Sequence, residues 1–289
     1  MRNVPVRKVP TVKLRRLTAE LKRLRIAAGV TIDDVVKQTG IDQSSVYRIE
    51  RALNKPQRRT VTTLLALYHV DDQRRETLLT WLKESDQQDW LQAYEPYLPE
   101  QYQAYVGFEY EAERLSNYEP LFVPGLLQTA DYARAVIEDV GQERHFTPEE
   151  VQKRLDVRRH RQSILHRPAP LQLYSVIDEA AIRRTVGGPE IMRAQIQHLA
   201  KVSAASNVTL RIVPFSAGAY PGMTGPFTVM YFTDPFDAPL VYAEGVTGNA
   251  FLERENDVAR FADTFEFIAG AALSVTQSRK LLQEIAKTA

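Results

Sequence analysis

Residues 42–53 limit what this chain can fold into more than any other stretch. Placed on a helix at about 100° per residue, Val46, Ile49, Glu50 and Leu53 gather on one side, while Ser44, Tyr47, Arg48 and Arg51 gather opposite. Asp42 is a capping residue ahead of the first turn and Asn54-Lys55-Pro56 is a break, so the pattern predicts a helix over 42–53. Upstream, Thr31 and Asp34 have the spacing of a capping box, with Asp in place of the usual Glu. They open a helix of about two turns through Ile32, Val35 and Val36 that Gly40 ends. A short helix, a glycine turn and a second helix with one packing face and one free face make a helix-turn-helix.

Its surroundings are helical too. From Leu17, apolar residues recur at Leu21, Leu24 and Ala28 until Gly29 supplies a stop. Val61, Leu64, Leu65 and Tyr68, then Leu78, Leu79 and Leu82, predict two further helices separated by the Asp71-Asp72 cap signal. Residues 17–85 are therefore predicted to be an all-α domain of five helices. Residues 1–16 carry basic clusters and no periodic apolar pattern, which predicts a flexible basic arm able to touch phosphate.

The free face of the helix over 42–53 has recognition chemistry. Gln43, Ser44, Ser45, Tyr47 and Arg48 lie on its N-terminal turns, the part of such a helix that approaches base edges in a major groove roughly 12 Å wide. Arg can bond guanine O6 and N7 together, and Gln can do the same to adenine N6 and N7. Thr31, Asn54, Lys55, Arg58 and Arg59 are placed to meet the sugar-phosphate backbone. Charge agrees: up to residue 70 there are fifteen Lys and Arg against five Asp and Glu, a balance of +10, while the remainder stands at −9. A basic quarter on a nearly neutral chain is the footprint of a nucleic-acid module joined to a domain with another task. Glu50, on the packing side, needs a partner, and Arg25 on the preceding helix is the candidate.

Residues 90–289 read as a mixed α+β domain. Nine aromatics fall within residues 90–122, about three times the chain's average density, which excludes a disordered linker. Core packing accounts for most of them; a pocket or partner surface is the other reading. Helices are predicted over 129–140 and 147–165, the second opened by Thr147-Pro148-Glu149-Glu150, and over 179–186, 189–206, 253–272 and 278–286. Strands are predicted over 171–177, 208–213, 227–232 and 240–242. The stripe Val258, Phe261, Phe265, Ile268 and Ala272 is long enough to serve as core or as an interface, and a homodimer is expected to assemble through residues 90–289.

Two resemblances extend these readings. Arg25-Ile26-Ala27-Ala28-Gly29-Val30-Thr31, Val35-Val36, Gly40-Ile41 and Val46-Tyr47-Arg48-Ile49-Glu50-Arg51 resemble the XRE type of helix-turn-helix, the phage-repressor family. The resemblance implies a buried Arg25–Glu50 ion pair. Ala52 departs from it, since many members have Gly there, and a helix running on into Leu53 would explain the change. Further on, residues 109–115, Tyr118-Glu119-Pro120-Leu121-Phe122-Val123-Pro124-Gly125-Leu126-Leu127-Gln128-Thr129 and Tyr132-Ala133-Arg134-Ala135 resemble the start of the large C-terminal domain of actinobacterial XRE regulators. Arg158-Arg159-His160-Arg161, Val186-Gly187-Gly188-Pro189, Ile212-Val213-Pro214 and Val241-Tyr242-Ala243-Glu244 continue the likeness. It implies an antitoxin-like or WhiJ-like transcription regulator acting with a small partner protein or a small-molecule effector, and it supplies no catalytic residues.

Other chemistries find little support. The absence of Cys excludes disulfides, thiolate metal sites and thiol nucleophiles. His69, His145, His160, His166 and His198 lack zinc-like spacing, so neither metal nor cofactor is expected. The stretch from Gly218 to Gly225 lacks the spacing of a phosphate loop and reads as a flexible hairpin connection. No apolar run reaches the roughly 18 to 20 residues that span a bilayer, and no signal-like segment starts the chain, so a cytoplasmic, nucleoid-associated protein is expected. The leading expectation is a sequence-specific DNA-binding regulator, not an enzyme, whose partner is a double-stranded operator. The alternatives are a DNA-targeted enzyme, with its site between the Gly218–Gly225 loop and the Tyr118–Thr129 motif, and a protein-interaction module.

Overall fold

The computed structural model describes residues 11–84, 89–140, 146–233, 237–245 and 248–288. The described residues form two compact units: those within 11–93 together with 99–108, and 94–98 together with those from 109 onward. The basic arm predicted over 1–16 and His145 thus fall largely or wholly outside the described residues.

The first unit is helical: α1 (Val12–Ala27), α2 (Ile32–Thr39), α3 (Gln43–Glu50), α4 (Arg58–Leu67), α5 (Asp72–Glu84) and the single turn α6 (Asp89–Gln92), with most of α7 (Glu100–Glu111). Leu17, Leu21, Val35, Val46, Ile49, Val61, Leu64, Leu65 and Leu78 pack into one core. These are the apolar positions of the five helical patterns, so burial of each stripe against the others holds the unit together. Arg74 of α5 adds an ion pair to the buried Glu20 of α1 at 2.9 Å.

Two boundaries differ from expectation. Helix α1 begins at Val12, inside the predicted arm: Thr11 caps it by accepting the Leu14 N–H at 3.2 Å, and Leu14 is buried. Leu14 stands one helical step before Leu17 on the same face, so the apolar stripe starts earlier than Leu17. Helix α3 is shorter than predicted. It ends at Glu50, with Ala52 N–H bonding Ile49 O at 2.9 Å and Leu53 N–H bonding Arg48 O at 2.8 Å, the paired bonds of a Schellman C-cap. Ala52 therefore occupies the left-handed position at φ 51°, and the explanation of Ala52 by a helix running through Leu53 is overturned.

The domain boundary also differs, since residues 99–108 belong to the first unit. Buried Phe108 receives the guanidinium of Arg15 over its ring at 5.4 Å, an α1 to α7 contact hidden from periodicity.

The second unit is a six-stranded mixed sheet with helices. In chain order it contains β1 (Arg114–Glu119), α8 (Ala130–Val140), α9 (Pro148–Gln162), β2 (Gln172–Asp178), α10 (Glu179–Arg183), α11 (Pro189–Val202), β3 (Val208–Val213), β4 (Phe227–Tyr231), β5 (Leu240–Ala243), β6 (Ala250–Leu252), α12 (Glu255–Ala271) and α13 (Val275–Thr288). The spatial order is β3-β2-β1-β4-β5-β6, with β1, β2 and β3 parallel and the remaining neighbours antiparallel. Phe265, Ile268 and Ala269 of α12 pack against Tyr118, Val176, Val213, Phe227, Val229 and Val241, so the stripe on α12 is core.

Strands β1 and β6 were not among the predicted ones. Strand β1 is central, yet its sequence is mostly polar, because the face opposite Tyr118 buries a polar row instead of an apolar one. Asn117 donates to Thr228 Oγ at 3.0 Å and accepts from Ser175 Oγ at 3.3 Å across paired positions of β2, β1 and β4. The stretch from Gly218 to Gly225 is a crossover, not a hairpin, since β3 and β4 are separated by β2 and β1. Tyr220 latches it, donating to Asp178 and meeting Tyr118 Oη at 2.7 Å.

Candidate functional site

The helix-turn-helix of the first unit is assembled by its caps. Thr31 accepts the Asp34 N–H at 3.1 Å while Asp34 accepts the Thr31 N–H at 3.0 Å, which closes the start of α2. Gly40, in the left-handed conformation, ends that helix, and Asp42 opens α3 by accepting the Ser45 N–H at 2.9 Å. Asp42 also receives the hydroxyls of Ser44 and Ser45, each at 2.6 Å, and these bonds hold its carboxyl down at about 2.

One face of α3 is closed and the other is open. Val46 and Ile49 are buried in the core, whereas Gln43, Ser44, Tyr47, Arg48 and Arg51 are exposed and Ser45 is half-buried. Tyr47 keeps 46% of its surface in solvent, with the Arg51 guanidinium 4.4 Å from its ring centre. An aromatic and two guanidiniums on an open helix face can stack and donate hydrogen bonds. Ser44 and Ser45 have given their hydrogens to Asp42, so what they offer outward is lone pairs. Gln43 Nε2 lies 3.3 Å from Asp33 Oδ1, a long bond that bridges to α2.

Around that face, Asn54, Lys55, Arg58 and Arg59 are exposed. Arg58 and Arg59 open α4, whose first turn has no acidic residue and whose N-cap, Gln57, makes no side-chain cap bond. Unsatisfied N–H groups together with two guanidiniums make that end receptive to an anion. Thr31 differs, because its hydroxyl is occupied by Asp34 and two acids stand in the first turn of α2.

Arg25 and Glu50 brace this arrangement. Arg25 Nε and Nη2 donate to the two oxygens of Glu50 at 2.6 and 3.0 Å, and Nη1 donates to Val30 O at 2.9 Å. Tyr68 sits beside them, and burial together with the Glu50 charge pushes its hydroxyl up to about 12.

In the second unit, several motifs of the C-terminal resemblance converge on a group of charges to which sequence reasoning had assigned no role. Arg161 Nε and Nη2 hold the buried Glu109 at 2.6 and 2.7 Å, a closed bidentate pair. Glu119, the last residue of β1, is pushed up to about 8 by burial and then by the Glu244 carboxylate, while Arg158 and Arg161 pull the other way. Glu244 stays exposed at the rim, yet the chain crowding its carboxyl raises it in the same direction. Gly125 borders the group because a Cβ there would stand 2.2 Å from Arg158 Nη1. The available signal was four motifs carrying these charges, far apart in sequence. Among the described residues, no group of three His, Asp or Glu is placed to hold a metal, and no helix is long and apolar enough to cross a membrane.

A family described as a helix-turn-helix domain matches residues 16–78, which contain α2 and α3. A second, described as a Domain of unknown function (DUF5753), matches residues 102–284, more than half of the chain. No curated protein and no solved structure matches. A six-stranded mixed sheet bearing a buried ionic group, preceded by a braced helix-turn-helix, is thus how this sequence builds a chain that belongs to the DUF5753 family.

Proposed function

We propose that the protein is a sequence-specific DNA-binding transcription regulator of the XRE type, not an enzyme. The observation that carries this reading is the open face of α3, where Gln43, Ser44, Tyr47 and Arg48 are exposed on a helix whose opposite face is locked into the core. Arg48 donates to a guanine, Gln43 leaves Asp33 to meet an adenine, and the spent hydroxyls of Ser44 and Ser45 accept from a base amino group. Lys55, Arg58, Arg59 and Asn54 meet phosphates on either side, with Arg58 and Arg59 aided by the uncapped start of α4. The regulator works as a homodimer joined through residues 90–289, and that part receives a small partner protein or effector in the antitoxin-like manner. Genome-wide footprinting followed by titration of one recovered operator tests it. Discrete sites with a shared half-site are expected, and uniform binding regardless of sequence would remove the reading.

A second reading, an enzyme delivered to DNA, draws on Glu119, whose raised carboxyl beside Glu244 has the character of a general acid. It is separated by Glu119→Gln. A regulator keeps operator binding and its response to effector in that variant, whereas an enzyme loses turnover of any nucleotide or ester substrate it processes.

A further inference from the structure

A recess in the second unit is lined by Thr129, Asp131 and Arg134 near the start of α8 and by Arg158, Arg159 and Gln162 of α9. Three guanidiniums there face a single carboxylate. Two of them have other attachments. Arg134 donates to Gln152 at 3.2 Å and lies 3.7 Å from Glu138, and Arg159 lies 3.9 Å from Asp156. Arg158 makes no hydrogen bond or ion pair among the described residues, and its Nε is shielded from solvent without a partner, while its charge acts on the Glu119 and Glu244 carboxyls of the ionic group.

The contrast with Arg161, three residues on, is direct. Arg161 spends its donors on Glu109 and is closed. Arg158 is held half-buried over Gly125, where even one methyl group would displace its guanidinium. Gln162 fixes the floor by donating to Gly125 O at 3.1 Å and Gln128 O at 2.7 Å. Thr129 Oγ accepts the Tyr132 N–H at 3.3 Å and keeps its own hydrogen to give. A guanidinium partly stripped of water, making no ion pair and acted on only by the raised carboxyls of Glu119 and Glu244, has donors left for a further anion.

We propose that this recess binds the anionic group of a small molecule, a carboxylate or a phosphate, with Arg158 as its principal contact and Arg159 and the Thr129 hydroxyl beside it. The ligand is a small molecule and not the DNA backbone, because the site is a concavity with Asp131 on its wall and the chain beyond residue 70 has a charge of −9. The proposal names the ligand class for the effector of the regulator described above. It rests on that reading for its consequence at an operator, and binding itself is measured without DNA, so either can fail alone.

The test is calorimetric titration of the full chain with inorganic phosphate and, separately, with acetate, at ionic strength held constant with sodium chloride. One saturable site is expected. Arg158→Gln and Gly125→Ala should each weaken it about tenfold or more, the second by displacing chiefly the Arg158 head, since the added Cβ would stand 2.2 Å from Arg158 Nη1 and 3.3 Å from Arg161 Nη2. Asp131→Asn should tighten it, and Lys280→Gln on α13 should leave it unchanged. Unliganded melting temperatures equal to wild type establish that the variants fold, and two variants acting by different means cover a defect in either one. Saturable binding that survives both Arg158→Gln and Gly125→Ala, or no saturable binding of either anion to the wild type, overturns the proposal. So does an Arg158→Gln variant that loses operator affinity while its phosphate titration is unchanged.

Discussion

Arg25 grips both oxygens of Glu50, and the same guanidinium holds the carbonyl of Val30. One side chain thereby fastens three parts of the helix-turn-helix: the end of α1, the turn before α2 and the last residue of α3. Their side chains are only 12% and 9% exposed, so the pair is largely desolvated and its attraction is offset by the cost of taking two charges out of water.

Removing one member should therefore hurt more than removing both. Glu50→Ala leaves Arg25 buried without its counter-ion and should cost about 3 kcal/mol, whereas Arg25→Met with Glu50→Leu should cost clearly less. Urea unfolding of the two single variants and the double variant measures the coupling. A coupling near zero would show that the bidentate contact does not act on stability, and lost DNA binding in Glu50→Ala should follow the unfolded fraction.

Ala52 offers a test of opposite sign. At φ 51° it holds the left-handed position that glycine takes without steric cost, in a cap whose two bonds are both made. Ala52→Gly should stabilise the first unit by about 0.5 to 1 kcal/mol, the relief of the left-handed conformation exceeding the added chain entropy of glycine. Melting that falls instead would mean that the buried methyl group outweighs the backbone.

These two positions also show where sequence reasoning reached and where it stopped. The capping residues Thr31 and Asp42, the stop at Gly40 and the buried Val46 and Ile49 were legible because each depends on a residue's own chemistry or on spacing within one helix. The end of α3 was not, since alanine itself carries no signal for positive φ; the glycine that the resemblance has at position 52 was the one hint, and the hydrogen bonds reveal the turn. Strand β1 escaped for a related reason. Ser116, Asn117 and Glu119 make it read as surface, and the polar row that satisfies Asn117 comes from β2 and β4, more than fifty residues away. Glu109, Glu119, Arg158, Arg161 and Glu244 were visible only as motifs, because no local pattern brings them together.

At the DNA, specificity and affinity should separate by residue. Arg48→Ala should lose about 1 to 3 kcal/mol of discrimination at one base pair, while Arg58→Ala, Arg59→Ala or Lys55→Ala should weaken every sequence alike and lower the salt slope by about one unit each. Titrations of operator and scrambled duplexes over a range of salt concentrations distinguish the two classes. An Arg48 variant that binds the operator as the wild type does would take Arg48 off the reading surface. A Lys55 variant that relaxes the base preference would exchange the assigned roles.

The last prediction concerns pH. Glu119 is raised from 4.5 to about 8, first by burial and then by Glu244, against the pull of Arg158 and Arg161. Between those values the native protein keeps a proton that the unfolded chain releases, so the native state binds more protons and stability falls as pH rises. The contribution of Glu119 is thus complete below about pH 4.5, declines through the neutral range and is lost above about pH 8. Glu119→Gln replaces the protonated acid with a neutral group of nearly the same shape. It should match the wild type at pH 5, exceed it in urea midpoint at pH 8.5, and show a flatter profile between. Glu244, raised in the same direction, remains in the variant and leaves a smaller residual slope. Parallel profiles for the two proteins across pH 5 to 8.5 would show that Glu119 titrates as an ordinary carboxylate, and the ionic group would then lack the raised acid assigned to it.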